Sequence, residues 1–455
     1  MRKILPNSLK NLAIACPRPL YVVGGSVRDF LAGVRSARQD WDICAPISAD
    51  EFSKIAQAQG CEIRAIYRNT GTVKLRVGDI DCEYSCFRSD KYVRGTHVPA
   101  EIFFTDDISL DAKRRDFTAN AVYYAIQTGE FVDPLGGIPA IAEKRLTTVD
   151  TPNKVFGEDG LRLMRLARQA AQLGFSPDEN CIAGAKANAA LILDISPERI
   201  FAELAAILTA DKKYGVEKGH YQGLKILDQI GVLAYIFPEL SQGKNLAQRA
   251  DFHKYDVLEH SLRACAYAPC EGENYLLRLA ALLHDVGKPY CMRKDGNAHA
   301  HPEQGELIAE EVLARLKAPK KITQTVKWLT RWHMYDFDCK TGENKLRRFF
   351  VSNYALLKEL LALKQADYSA CMDDLSQAPT CRKWENLLAK MHKENAPFSL
   401  KSLAVNGNDL LQAGIFPARL AGVLNGLLLH VSTRPQDNEK ERLLILARGF
   451  ERQME

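Results

Sequence analysis

The chain has no stretch of about 18 uninterrupted apolar residues, and its first residues lack the basic, apolar, small-residue order of a signal peptide. These absences argue against a membrane-spanning helix and point to a cytoplasmic protein without a membrane partner. No C-x-x-C pair occurs among the 12 cysteines. Cys82 and Cys86 would share one face of a strand but stand too far apart to suggest a disulfide or a zinc knuckle. All the cysteines are therefore expected to be reduced thiols. Acidic and basic residues nearly balance, at a net charge of +5, which excludes a histone-like polycation and leaves room for local basic strips. Repeats, low-complexity tracts and long linkers are also missing. What is present is a chain of 455 residues with 46% hydrophobic content, enough for several domains with real cores.

Two aspartates one residue apart, Asp40 and Asp42 in Gln39-Asp40-Trp41-Asp42-Ile43, follow a strand-turn-helix signal at Tyr21-Val22-Val23-Gly24-Gly25-Ser26-Val27-Arg28-Asp29. On a strand, residues two apart point to one face with Cα atoms about 6.6 Å apart. Carboxylates so placed can converge on two metal ions about 3.5–4 Å apart, which activate a hydroxyl and stabilise a leaving phosphate. Trp41 and Ile43 would face the opposite, buried side. The glycine pair lets the main chain approach a ligand closely, the amides starting the next helix suit triphosphate oxygens, and Arg28 adds a forked cation. Either element alone reads as a tight turn or as solvated acids; the ordered pair reads as a nucleoside-triphosphate site.

Gly24-Gly25-x-x-Arg28-Asp29 followed by Asp40-x-Asp42 resembles the polymerase-β-type head of class II tRNA CCA-adding enzymes and their relatives, the bacterial poly(A) polymerases. Further segments match in the family's order. Glu83, in Asp81-Cys82-Glu83-Tyr84, falls on the strand that carries a third carboxylate. Arg114-Arg115-Asp116-Phe117-Thr118-Ala119-Asn120-Ala121 matches the segment that contacts ribose and phosphates, and Asp133-Pro134-Leu135-Gly136-Gly137 the turn that closes the head.

The resemblance implies an α+β fold: a nucleotidyltransferase head of mixed sheet and helices over residues 1–137, then an all-α remainder. That remainder is expected to be a neck carrying the base-selecting helix (138–208), an HD-type body (209–370) and a tRNA-binding helical tail (371–455). Asp40 and Asp42 would hold Mg2+, with Glu83 assisting deprotonation of the 3′-hydroxyl or metal binding. Gly24, Gly25, Arg28 and Arg115 would hold the triphosphate and Asp116 the ribose, with Asn120 in the same nucleotide-binding segment. A segment from Ser89 to Phe104, containing Arg94 and Gly95, would move between C and A addition.

Glu158-Asp159-Gly160-Leu161-Arg162-Leu163-Met164-Arg165 has helical periodicity, with Leu163, Leu166, Ala167 and Ala170 forming a stripe to be buried. Asp159, Arg162 and Arg165 are spaced to form an outward polar edge, on which an acid beside a guanidinium can read the Watson-Crick edge of cytosine or adenine without a template. An Asp159–Arg162 ion pair on a solvated face is the plainer alternative. The run from Pro197 to Leu208 resembles the family's neck helix, with Arg199 and Glu203 as expected partners. Basic strips at 162–168, 212–213, 317–321 and 345–348 suit an RNA stem gripped by its phosphates.

A second constellation has the H…HD…D order of HD-domain phosphohydrolases: His260, then His284-Asp285 in Leu283-His284-Asp285-Val286-Gly287-Lys288, then Asp367. Imidazole nitrogens and carboxylate oxygens so ordered can hold a second divalent metal, although a domain of this kind attached to a nucleotidyltransferase can also serve only as scaffold. His301 and His333 fall where some HD proteins have additional metal-site or phosphate-site histidines. Beyond Pro397, Leu403-Ala404-Val405-Asn406-Gly407-Asn408-Asp409 and Val423-Leu424-Asn425-Gly426 resemble the tail with which CCA-adding enzymes hold the tRNA elbow. Pro417-Ala418 stands where a Pro-Gly turn is expected.

The expected activity is template-independent addition or repair of the tRNA 3′ CCA end from CTP and ATP, by a monomer or homodimer. A poly(A) polymerase, an enzyme adding only CC or only A, and a metal-dependent phosphohydrolase are the competing readings.

Overall fold

The computed structural model describes residues 1–34, 41–93 and 99–452, and in it the chain divides into two compact units. The first comprises residues 1–241 with 271–275 and 312–318; the second comprises 242–270, 276–311 and 319–455.

Nearly all the strand structure lies at the start of the first unit, where β-branched and aromatic residues alternate with polar ones. The strands are β1 (Tyr21–Val23), β2 (Trp41–Ala45), β3 (Glu62–Tyr67), β4 (Thr72–Val77), β5 (Ile80–Cys86), β6 (Arg88–Lys91), β7 (Glu101–Phe104), β8 (Tyr123–Ala125) and β9 (Phe131–Val132). Seven of them form one sheet in the order β3-β4-β5-β2-β1-β8-β9, while β6 and β7 make a separate antiparallel ribbon. Every neighbouring pair in the sheet is antiparallel except β2 and β5. That parallel pair exists because the helix Ala49–Ala58 and the β3–β4 hairpin intervene between its strands. Ser48 caps this helix by accepting from Glu51 N, and Asp50 and Glu51 in its first turn suit the positive end of the helix dipole.

The sheet buries side chains on both of its faces. Trp41, Ile43, Cys44 and Ala45 of β2 are buried, as are Val22 and Val23 of β1, and Tyr84 of β5 stacks on Phe52 at 3.6 Å between ring centroids. Asp42 alone on β2 is exposed; Trp41 and Ile43 lie on the opposite face, and Cys44, on Asp42's own face, is buried, so the exposed patch is local to Asp42.

After residue 137 the first unit is helical apart from two short strands, Arg145–Leu146 and Ser176–Pro177. The 157–173 region is two helices, Pro152–Glu158 and Leu161–Leu173, broken at Asp159-Gly160. Leu163, Leu166, Ala167 and Ala170 form the buried stripe read from the spacing, and the neck helix spans Pro197–Leu208. Glu203 accepts from Arg168 Nε at 2.6 Å, so its partner lies on the Leu161–Leu173 helix and is not Arg199.

The second unit is helical throughout its described residues. Helices Val257–Tyr267, Leu276–Leu283, Lys320–Trp332 and Leu357–Met372 surround the H…HD…D residues. At Gly287, a Cβ would lie 2.3 Å from His301 O and 2.6 Å from Gly305 N. Only glycine lets the turn after Asp285 reach the start of the His301 helix. The Pro417 segment forms a short 3-10 turn, Pro417–Arg419. All 12 cysteines are free thiols.

Candidate active site

Asp42 sits directly opposite Glu83 in the parallel β2–β5 register, and Glu83 in turn faces Lys74 across β4–β5. Residues opposed across neighbouring strands share a sheet face, so the two exposed carboxylates stand side by side. Lys74 Nζ lies 3.9 Å from Glu83 Oε2. Asp40 and Gln39 lie outside the described residues.

The glycine turn closes on the same place. Gly24 has φ +80° and ψ −140°, a conformation open to glycine, and a Cβ there would lie 3.2 Å from Asp42 Oδ2. It begins the helix Gly25–Leu31, whose first amides have no acceptor within the helix.

Behind this turn runs a buried polar network. Arg28 donates to Asp29 Oδ1 through Nε (2.9 Å) and Nη2 (2.6 Å), and to Asn120 Oδ1 through Nη1 (2.7 Å). Tyr214 donates to Asp29 Oδ2. Asn120 donates to Asp116 Oδ1 at 2.8 Å, and Asp116 Oδ2 accepts from Arg165 Nε at 2.8 Å and from Gln169 Nε2 at 3.2 Å. Burial works against the Asp116 carboxylate, but Arg165 and the Asn120 hydrogen bond outweigh it and hold its pKa well below the usual range. Arg28, Asp116 and Asn120, expected at the nucleotide, are thus nearly enclosed, while the Arg165 side chain keeps 37% of its surface exposed.

Arg115 belongs to a second buried knot. Its Nη2 lies 3.1 Å from Asp111 Oδ2 and its Nε donates to Tyr123 Oη at 3.2 Å, while Arg114 Nε donates to Asp111 Oδ1 at 2.8 Å. Asp111 is fully buried; desolvation is overcome by the two guanidinium groups, and its pKa falls far below that of a free carboxylate.

Asp159 and Arg162 do not form an outward edge. They are 5% and 4% exposed, because the helix break turns both inward. Asp159 Oδ1 accepts from Leu161 N at 2.9 Å, and burial raises the Asp159 pKa. Arg162 pairs with Glu158 at 3.0 Å rather than with Asp159, and donates to Val155 O and Arg114 O. The Tyr92 ring lies 5.4 Å from the Arg162 guanidinium carbon, which brings the chain after β6 to this residue. Arg94 and Gly95 lie outside the described residues, although β6 and β7 pair at the two ends of that segment.

Asp111, Gln169, Tyr92 and Tyr214 also belong to these networks, outside the motifs read from the sequence. Only Asp111 carried a local signal, its three- and four-residue offsets to Arg114 and Arg115; the others reach the site through tertiary packing.

In the second unit, His260, His284, Asp285 and Asp367 converge as their order predicts, and His301 and His333 join them. His260 Nε2 lies 3.2 Å from His284 Nε2 and 3.0 Å from Asp367 Oδ1. Asp285 spans the cluster: Oδ2 is 3.2 Å from His284 Nε2, and Oδ1 is 3.2 Å from His301 Nε2 and 3.6 Å from His333 Nε2. Nδ1 of His284, His301 and His333 each faces the carbonyl three residues back, at 2.7, 2.6 and 2.7 Å. A carbonyl only accepts, so each Nδ1 carries the hydrogen and each Nε2 is turned toward the centre.

Both Asp285 oxygens are buried without a hydrogen-bond partner. Lys288 Nζ is 2.6 Å from Oδ2, an ion-pair distance lacking hydrogen-bond direction. Burial lowers the basicity of His284, yet Asp285 and Asp367 reverse this and lift its pKa to about 10. Two carboxylates and several Nε2 atoms turned toward one point suit a divalent cation, whose binding would displace the proton held by His284.

Comparison with known proteins accords with both sites. Residues 20–147 match the poly A polymerase head domain, 174–243 the probable RNA and SrmB-binding site of polymerase A, and 257–372 the HD domain. An A-adding tRNA nucleotidyltransferase of Deinococcus radiodurans is 30% identical over 392 residues, covering 82% of this chain and 83% of its own. A multifunctional CCA protein of Neisseria gonorrhoeae is 30% identical over 331 residues, 69% of this chain and 73% of its own. Among solved structures, the Bacillus stearothermophilus CCA-adding enzyme in complex with CTP shares the fold at a TM-score of 0.67 and 23% identity, covering 98% of each chain. The Thermotoga maritima CCA-adding enzyme complexed with tRNA does so at 0.64 and 17%, over 98% and 96%.

Proposed function

Because the chain belongs to the family of class II tRNA CCA-adding enzymes and poly(A) polymerases, with an HD domain, we infer that it builds or repairs the tRNA 3′ CCA end from CTP and ATP and releases pyrophosphate. The observation that carries this reading is the pairing of Asp42 with Glu83 at the mouth of the Gly24-Gly25 turn. Head, neck, HD body and tail are assigned to 1–137, 138–208, 209–370 and 371–455. Among the described residues, no helix is long and apolar enough to cross a membrane.

Asp42 with Asp40 would hold divalent ions, assigned as Mg2+, whose chemistry there would be to polarise the reacting phosphate and lower the pKa of the 3′-hydroxyl. Glu83 stands beside Asp42 to accept that proton or to complete the ligand set. The Gly24-Gly25 amides approach the triphosphate. Arg28 and Arg115 support it from buried networks, so their part is to hold the turn and the strand ends as much as to touch phosphate. Asp116, fixed by Asn120, Arg165 and Gln169, serves the ribose. Asp159 and Arg162 select the base from an inward pocket edge. The test is pyrophosphate release with CTP and ATP on a tRNA lacking its CCA end: wild type releases it, Asp42→Ala and Glu83→Ala do not, and release by Asp42→Ala at the wild-type rate would refute the assignment.

A second reading concerns the HD centre, and the convergence of His260, His284, Asp285 and Asp367 favours it. His260, His284, Asp285 and Asp367 would hold a divalent ion there, whose chemistry would be to activate water toward a phosphoester. Metal analysis of wild type and of His284→Ala/Asp285→Ala tests it: metal present in the first and equally in the second excludes this centre.

A further inference from the structure

His260 belongs to two clusters. One is the H…HD…D set; the other is His253, His260 and Cys371, in which one ligand atom from each residue lies within 4.8 Å of the others. Cys371 follows Asp367 by one helical turn on the Leu357–Met372 helix, and its thiol donates to Asp367 O at 3.4 Å. The His253 ring stands edge-on to His260, with centroids 4.9 Å apart.

The second cluster differs from the first in its chemistry. It contains a sulfur and no carboxylate. His260 is completely buried, and its Nδ1 has no hydrogen-bond partner; neither has Nδ1 of His253. Such atoms are costly to leave unsatisfied inside a protein. Among the described residues, the backbone carbonyls that fix Nδ1 of His284, His301 and His333 have no counterpart at His260 or His253.

We propose that His253, His260 and Cys371 form a binding site for a thiophilic divalent cation of the zinc type, next to the H…HD…D centre and sharing His260 with it. Two imidazoles and a thiolate with a fourth position for water suit Zn2+ or Co2+, whereas Mg2+ prefers oxygen ligands. Binding replaces the thiol proton with a metal–sulfur bond and releases that proton to solvent; when both centres are filled, His260 bridges them through Nδ1 and Nε2 and its ring proton is released as well. The site governs the neighbouring centre through His260, because an ion held by Cys371 constrains the ligand that the other ion needs. The proposal stands whether or not the H…HD…D centre is hydrolytic.

Cobalt absorption tests it on the full-length protein. Co2+ bound by a thiolate gives an intense near-ultraviolet sulfur-to-metal charge-transfer band; cobalt bound by nitrogen and oxygen alone gives only weak visible bands. Metal-free wild type titrated with Co2+ is expected to develop the charge-transfer band. Cys371→Ser should lose it while still binding cobalt at the H…HD…D centre, and His284→Ala should keep it. His253→Ala should weaken it without disturbing the far-ultraviolet circular dichroism. Absence of the band in wild type at saturation, or its persistence in Cys371→Ser, would overturn the site.

Discussion

The strand pleat turns Asp42 to the face opposite Trp41 and Ile43, where it is exposed, and the register places Glu83 beside it. Replacing Asp42 with Asn keeps the shape and removes the charge proposed to hold metal. Nucleotide addition should fall by at least about a thousandfold, since a lost metal clamp is worth several kcal/mol, while tRNA binding measured by filter retention should persist. Arg162 makes a different prediction. It is a buried fork tied to Glu158, Val155 O and Arg114 O, so Arg162→Lys keeps the charge but loses the geometry. UTP or GTP incorporation relative to CTP should rise in a mixed-nucleotide competition; unchanged base choice would leave Arg162 a structural tie.

Asp111 supports the site without touching it, and its variant reads out as stability. Asp111→Asn leaves Arg114 and Arg115 facing a neutral group inside the head, and should cost about 3–5 kcal/mol in denaturant unfolding. Its folded pKa lies below the unfolded one, so the carboxylate's contribution is fully present above the unfolded pKa of about 4 and is lost as pH falls further toward the folded pKa. Wild type and variant should therefore differ by a constant amount from neutral pH down to about 5, and converge in more acidic solution.

At the scale of elements, the strand-turn-helix unit from β1 to Leu31 is held together by the backbone of Gly24. Gly24→Ala forces a side chain into a backbone region that costs about 1–3 kcal/mol and sets its Cβ 3.2 Å from Asp42 Oδ2. Addition should drop more than thermal stability does, as seen by comparing initial rates with the melting temperature. This unit was legible in the sequence because glycine, alternating apolar residues and paired acids are local signals. The Asp159–Arg162 edge was misread for the opposite reason. Its spacing fits an exposed helix face, but the helix breaks at Asp159-Gly160 and turns both residues inward, an outcome decided by tertiary packing. Glu203 was assigned to Arg199 on its own helix, whereas the pair formed is with Arg168 on another helix; sequence spacing carries no information on such crossings.

At the scale of the molecule, Asp42 and Glu83 fall in one unit and His260, His284, Asp285 and Asp367 in the other. His284→Ala/Asp285→Ala should abolish divalent-metal binding at the HD centre and leave nucleotide addition within a fewfold of wild type, as judged by metal content and addition rate on one preparation. The order H…HD…D was readable at long range because its residue types are rare and their sequence is fixed. The cluster of His253 with Cys371 was not, since neither residue stands out until the helices bring them to His260.

The central claim is that this chain completes the tRNA 3′ end with C, C and A at the Asp42–Glu83 site. The most direct measurement supplies tRNAs ending before the first C, after C, after CC and after CCA with CTP, ATP or both, and sequences every 3′ end, with Asp42→Ala alongside. Wild type should add C only until CC, add one A, and stop at CCA, and Asp42→Ala should extend none of them. Long A tails, A addition restricted to CC ends without C addition, or normal extension by Asp42→Ala would contradict it.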